Sequence, residues 1–264
     1  MSDNILKVPT MAEMASKGEA PEVLFWVGCA GSFDSRAQKI TKAIAKILTH
    51  TGISFAVLGT EESCTGDPAK RAGNEFLFQM QAMTNIQVLN GYEIKKIVTG
   101  CPHCFNIIKN EYPGLGGNYE VLHHTELLQQ LVNDGRLKVQ GGEFKGKKIT
   151  FHDPCYLGRA NDVYEAPREV ISKLDAALSE MKRSRANGLC CGAGGAQMFK
   201  EPEKGNKDIN IERTEEALAL KPDVIAVGCP FCMTMMTDGV KHFEQEQNVK
   251  VMDVAELIAR ANDL

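Results

Sequence analysis

"IVTGCPHCFNII" (residues 97–108) and "IAVGCPFCMTMM" (residues 225–236) follow one pattern: an apolar run, a glycine, then C-P-x-C. Working outward, the cysteines keep step. Cys29 and Cys64 recur 126 residues later as Cys155 and Cys190, and Cys101 and Cys104 recur 128 residues later as Cys229 and Cys232. The following segments agree too, with "EVLHHTELL" (120–128) answered by "KVMDVAELI" (250–258). A period held by four cysteines and their neighbours is an internal repeat.

Each copy alternates strand and helix. In the first, apolar runs at 23–28, 53–58, 94–100 and 119–123 predict strands, and helical spacing predicts helices over 34–52, 71–90, 102–112 and 125–135. In the second, strands are expected at 147–153, 179–184, 223–228 and 249–253, with helices over 162–178, 207–220, 231–246 and 254–262. That rhythm predicts an α/β fold of two pseudo-symmetric Rossmann-like units with mostly parallel sheets. The polar, glycine-rich "GRLKVQGGEFKGK" (135–147) marks the boundary, giving domains at 22–140 and 141–264. Residues 1–21 are expected to be a tail or a docking segment, the latter carried by "VPTMAEMA" (8–15).

With 264 residues, 43% hydrophobic and 24% charged, the chain is long enough for ample cores. A net charge of -4 gives no argument for nucleic acid as a partner. No apolar run is long enough to span a bilayer, and "MSDNILKVPTMAEMASKGEAPE" (1–22) does not read as a secretory signal. A cytoplasmic protein is expected, with any contact at the inner membrane face made through partners.

Nine cysteines in such a chain point to metal ligands or redox thiols rather than disulfides. Cys29, Cys101, Cys155 and Cys229 each come just after a predicted strand, where α/β sheets bind ligands. Cys104 and Cys232 sit one helical turn further on, at helix starts that favour thiolate. Cys190 and Cys191 are followed by Gly192, Gly194 and Gly195, which allow a sharp turn against a bound group. A single C-x-x-C suits a thioredoxin-like pair, but two copies with matched outlying cysteines do not. Four thiols in the first half suit zinc or a cluster. Five in the second exceed tetrahedral zinc and suit an iron–sulfur cluster. His103, His152 and Asp153 are candidates to tune these sites, with ordinary hydrogen-bonded loop residues as the competing reading. His123, His124 and the methionines at 233, 235 and 236 are expected to be structural.

Cys…Cys-Cys-Gly…Cys-x-x-Cys, present twice over residues 22–262, resembles the CCG or cysteine-rich domain iron–sulfur proteins, which include the B- and D-type polypeptides of heterodisulfide reductase. "ESCTGDPAKRAGNEFLFQM" (62–80), "CPHCFNIIKNEYPGLGGNYEVLHHTELL" (101–128) and "HDPCYLGR" (152–159) are most similar to a branch linked to electron-transfer flavoprotein and menaquinone. The resemblance implies a non-cubane 4Fe–4S cluster on Cys155, Cys190, Cys191, Cys229 and Cys232, with Cys190 and Cys191 at the catalytic centre. The first copy departs from the pattern: "CTGDP" (64–68) has Thr65 where a second cysteine belongs. A cubane 4Fe–4S cluster is therefore favoured on Cys29, Cys64, Cys101 and Cys104, with zinc second.

The function expected is electron transfer within a multi-subunit oxidoreductase. A ferredoxin-like iron–sulfur subunit, a flavoprotein or a membrane quinone-reducing subunit would be partners. The alternatives are a zinc-stabilised assembly subunit, a catalytic heterodisulfide or disulfide reductase subunit, and a metal-free thiol reductase.

Overall fold

The computed structural model describes residues 6–201 and 204–264. The first half runs α1 (Met11–Ala15), β1 (Val23–Trp26), α2 (Gly28–Phe33), α3 (Ala37–His50), β2 (Phe55–Ala56), α4 (Asp67–Arg71), α5 (Glu75–Gly91), β3 (Lys96–Thr99), α6 (Pro102–Asn106), β4 (Glu120–His123) and α7 (His124–Asn133). The second runs β5 (Lys148–Phe151), α8 (Glu165–Ser172), β6 (Ala177–Leu178), α9 (Ile209–Leu218), β7 (Val224–Val227), α10 (Pro230–His242), β8 (Lys250–Asp253) and α11 (Val254–Ala261).

Two four-stranded sheets result, ordered β2-β1-β3-β4 and β6-β5-β7-β8. Every pairing is parallel. The shared order places the switch point between β1 and β3 in one sheet and between β5 and β7 in the other. In parallel sheets the crevice outside the strand ends opens there. β1 is buried at all four positions, as a central strand covered on both faces must be.

The halves pack reciprocally. α3 lies against α11, and its counterpart α8 lies against α7. One apolar core joins them, with Phe25, Ile44 and Leu128 from the first half and Phe151, Ile225 and Leu257 from the second. Arg36 crosses the junction, placing Nη1 and Nη2 2.8 and 2.7 Å from the Glu256 carboxylate. Within the boundary segment, Leu137 and Phe144 are buried and pin it to the core.

Several expected elements differ. The helix expected over 71–90 is broken: Gly73 takes φ +85°, and Asn74 caps a new start by accepting from the Leu77 amide at 3.1 Å. The strand expected at 179–184 lies earlier, at β6, which pairs with β5 through two residues only. Glu180 and Arg183 in the expected stretch are spent on ion pairs instead. The helix expected over 162–178 is limited to α8, and the one over 102–112 continues past α6 as a wider π turn over Ile107–Glu111. The segment 8–15 lies along the outer edge of the first sheet. The Met11 amide donates to the Val57 carbonyl at 2.8 Å, and Met11 and Met14 are buried.

Candidate metal centres

Both sites stand at the carboxyl ends of their sheets. Cys29 is in α2, directly beyond β1, and Cys155 follows β5. Cys101 and Cys229 are the N-cap residues of α6 and α10, with Pro102 and Pro230 in the first turn. Pro is tolerated there because that amide has no intrahelical acceptor. Cys104 and Cys232 then face back towards the helix start.

All nine cysteines are free thiols. In the second half the five stand next to one another, Cys155 beside Cys190, Cys190 beside Cys191, Cys191 beside Cys232, and Cys232 beside Cys229. The Cys191 and Cys232 Sγ atoms are 3.2 Å apart. In the first half Cys29 pairs with Cys64 and Cys101 with Cys104. Thr65 Oγ1, in the place of the missing thiol, lies 3.8 Å from Cys104 Sγ. The Cys191–Cys232 contact thus reappears as Thr65–Cys104.

The backbone between them is conserved between the copies. Gly66 takes φ +91° and Gly192 φ +92°. This turn aims the amide of each glycine at the sulfur two residues back: 3.5 Å from Gly66 N to Cys64 Sγ, and 3.3 Å from Gly192 N to Cys190 Sγ. A Cβ on Gly66 would also meet the Phe78 ring at 2.8 Å.

Proton sharing divides the thiols. The Cys29 thiol donates to Cys64 and holds it at about 6 against burial. Burial raises Cys229, but Cys232 and His103 outweigh it and hold Cys229 at about 5. Beside Cys155 and Cys191, Cys190 is driven down while both neighbours are pushed up. Sulfurs that already sit as thiolates are suited to ligate a soft metal.

The neighbouring polar groups are only partly those the sequence singled out. His103 Nδ1 lies 2.8 Å from Asp67 Oδ2, and the ring meets Tyr156 and Phe231 of the other half at centroid distances of 4.4 and 5.2 Å. His103 therefore belongs to the first site by sequence and touches the second. Asp153 is gripped by Arg168 Nη1 and Nη2 at 2.7 and 2.9 Å and accepts from the Arg185 amide at 2.7 Å. His152 accepts at Nδ1 from Arg213 Nε at 3.0 Å, and a ring nitrogen of His152 lies within 4.8 Å of the Cys191 and Cys232 sulfurs. Burial, then the adjacent guanidinium, lower His152 to about 3, so it is neutral.

Glu62, Arg168 and Arg213 were not singled out from the sequence. Glu62 accepts from the amides of Val27 and Gly28 at 3.0 and 2.5 Å and so shapes the Cys29 turn; burial pushes its carboxyl up to about 7. Its place two residues before Cys64 was the available signal. His123 and His124 are structural. His123 caps α7, and His124 Nε2 lies 2.9 Å from Asp253 Oδ1, out of line for a hydrogen bond. Met233 and Met236 are core, and Met235 is half-buried.

The chain belongs to the cysteine-rich (CCG) domain family, whose model matches residues 23–109 and again 149–237. Its relatives include proteins named as oxidoreductases, one of them iron-sulfur-binding by name. It is 51% identical over 256 residues to the probable iron-sulfur-binding oxidoreductase FadF of Bacillus subtilis, covering 97% of this chain and 36% of FadF. It is 45% identical over 250 residues to the EtfAB:quinone oxidoreductase of Syntrophomonas wolfei, covering 92% of this chain and 35% of that protein. One polypeptide of the dihydromethanophenazine:CoB–CoM heterodisulfide reductase of Methanosarcina barkeri is 31% identical over 98% of this chain and 63% of its own length. The chain thus spans about a third of the length of the first two relatives. No helix among the described residues is long and apolar enough to cross a membrane.

Proposed function

We propose that this chain is the iron–sulfur electron-transfer part of a multi-subunit oxidoreductase. Cys155, Cys190, Cys191, Cys229 and Cys232 hold a non-cubane 4Fe–4S cluster in the 141–264 domain. Cys29, Cys64, Cys101 and Cys104 hold a cubane 4Fe–4S cluster in the 22–140 domain. The observation that carries this reading is the gathering of five thiols at the second site, set beside a four-thiol site of the same backbone geometry with Thr65 in the fifth place.

The residues present fit such groups. The sulfurs converge, several already as thiolates, and the buried ring nitrogens of Trp26 and His152 stand unpaired among the described residues. When bound, the clusters would supply one-electron transfer. The protein's own contribution is placement. The Gly66 and Gly192 turns aim amides at sulfur, Glu62 fixes the Cys29 turn, and the Arg168–Asp153 pair fixes the approach to Cys155. Cys101, Cys104, Cys191, Cys229 and Cys232 are buried, whereas Cys29, Cys64, Cys155 and Cys190 reach the surface. Each centre thus has a sealed inner side and an outer edge for an electron partner.

The higher identity to EtfAB:quinone oxidoreductase than to the heterodisulfide reductase polypeptide supports a quinone-directed chain of carriers. A flavoprotein or ferredoxin-like donor and a membrane quinone-reducing partner complete it. The test is iron, zinc and sulfide analysis of anaerobically purified protein, unmutated and as Cys190→Ser/Cys191→Ser. Iron and sulfide at both sites, with only the second lost in the double variant along with electron transfer, is the expected result. Zinc in both sites, or unchanged iron and activity in the double variant, would refute the reading.

A further inference from the structure

His152 has a bonding pattern that the cysteines alone do not account for. It follows β5, and its amide continues the ladder by donating to the Ala226 carbonyl at 2.9 Å. The ring is fully buried. Its Nδ1 faces Arg213 Nε at 3.0 Å. A guanidinium has donors only and does not give up its proton in a protein. The direction of that bond is therefore fixed: Nδ1 accepts and carries no hydrogen. A neutral imidazole must then carry its hydrogen on Nε2. Arg213 is itself fully buried and is held by the Arg183 carbonyl at 2.7 Å and Glu216 at 3.1 Å, so it does not swing away.

Nε2 has no hydrogen-bond partner among the described residues. A protonated ring nitrogen has no lone pair for a metal. His152, Cys191 and Cys232 are therefore not a three-ligand metal site, although they stand within 4.8 Å of one another. What the ring has left is one N–H, on a ring of which one nitrogen lies within 4.8 Å of two thiol sulfurs. The position 126 residues earlier is Trp26. It too is fully buried, has an unpaired ring N–H, and packs in one apolar cluster with Cys101 and Cys104. Imidazole and indole have little else in common than a ring N–H.

We propose that His152 is a positioning residue that donates its Nε2–H to a sulfur of the centre held by the five second-site cysteines, with Arg213 fixing it as a donor. This rests on the second site holding an iron–sulfur cluster. A hydrogen bond to cluster sulfur draws off electron density and favours the reduced state, which raises the reduction potential.

The test is a redox titration followed by EPR on the loaded protein, unmutated and as His152→Leu and His152→Gln. Leu removes the donor. At fixed potential the reduced-to-oxidised ratio of the second centre should fall about tenfold, which for a one-electron couple is about 59 mV. The first centre should not move. Gln offers a carbonyl to Arg213 and an N–H to sulfur, so it should restore most of the shift. Equal potentials in the loaded unmutated and Leu proteins overturn the inference. If the Leu protein does not load, pulsed EPR of His103→Gln protein carrying isotope-labelled histidine decides, the substitution removing the other histidine beside these cysteines. A weakly coupled nitrogen whose proton exchanges in heavy water is expected. No coupling, or the strong coupling of an iron-bound nitrogen, overturns the inference. Absence of iron and sulfide from the second site of unmutated protein would instead fail the cluster reading on which it rests.

Discussion

Arg168→Met isolates the charge network behind the second site. Arg168 and Asp153 side chains are each 5% exposed, and the pair is bidentate at 2.7 and 2.9 Å. Arg168 also reaches Glu180 through Nε and Nη2, but Glu180 is 35% exposed, so water screens much of that contact. Met keeps most of the arginine stem's volume beside the Phe151 ring, so little packing is lost. What remains is a buried carboxylate with one backbone donor, the Arg185 amide. Stranding one partner of a buried ion pair costs about 3–5 kcal/mol. In a chain of this size that lowers the melting temperature by roughly 10 °C. Thermal unfolding of metal-free, reduced protein at neutral pH measures it without interference from cluster loss. Arg168→Met/Asp153→Asn removes the stranded charge and should recover at least ~1 kcal/mol relative to the sum of the single variants. A loss below ~1 kcal/mol in Arg168→Met, or strict additivity in the pair, would refute the reasoning that this pair is electrostatically buried and coupled.

Two further outcomes are expected. Thr65→Cys supplies the fifth thiol opposite Cys104, so the EPR signature of the first centre should convert to that of the second; a loaded variant with an unchanged spectrum would show that the donor count does not set the centre type. Arg36→Ala removes the bond across the halves to Glu256, which is 8% exposed, and to the Val251 carbonyl at 3.1 Å. Since Arg36 is 29% exposed, a loss of about 1–3 kcal/mol in urea unfolding is expected, and a change under ~0.5 kcal/mol would mean the apolar junction alone holds the halves together.

The strand ends were legible because two signals coincided. Apolar runs such as "IVTG" and "IAVG" stop at a glycine before a cysteine, and the repeat shows each twice. The break at Gly73–Asn74 was also written in the sequence, as a glycine followed by a capping residue and Glu75, but the apolar run that follows masked it. The buried charges were not legible. Arg168 and Arg213 sit on helices that also carry exposed charged residues, Glu169 and Glu215, and only packing tells a solvated charge from a buried one. The docking of the halves was hidden for another reason. A repeat shows that two units are alike, not how they meet, so His103 beside Phe231 and Arg36 against Glu256 join residues more than a hundred positions apart.

The two copies differ in core and surface alike, but the differences at the cysteine sites share a character. The left-handed glycines, the amide-to-sulfur contacts, the capping prolines and the strand order are kept. The changes that matter flank the sulfurs: Thr65 against Cys191, Asp67 against Ala193, His103 against Phe231, and Trp26 against His152. Here each change alters a donor, an acceptor or a charge at a cysteine site while the backbone that presents it stays fixed. A frame that must bring sulfur to one point tolerates little change in dihedral angle, as Gly66 and Gly192 show. The groups around that point are free to differ, and they set what the point binds and how readily it accepts an electron. One template with two donor sets suits two centres of different character, as the proposed function requires.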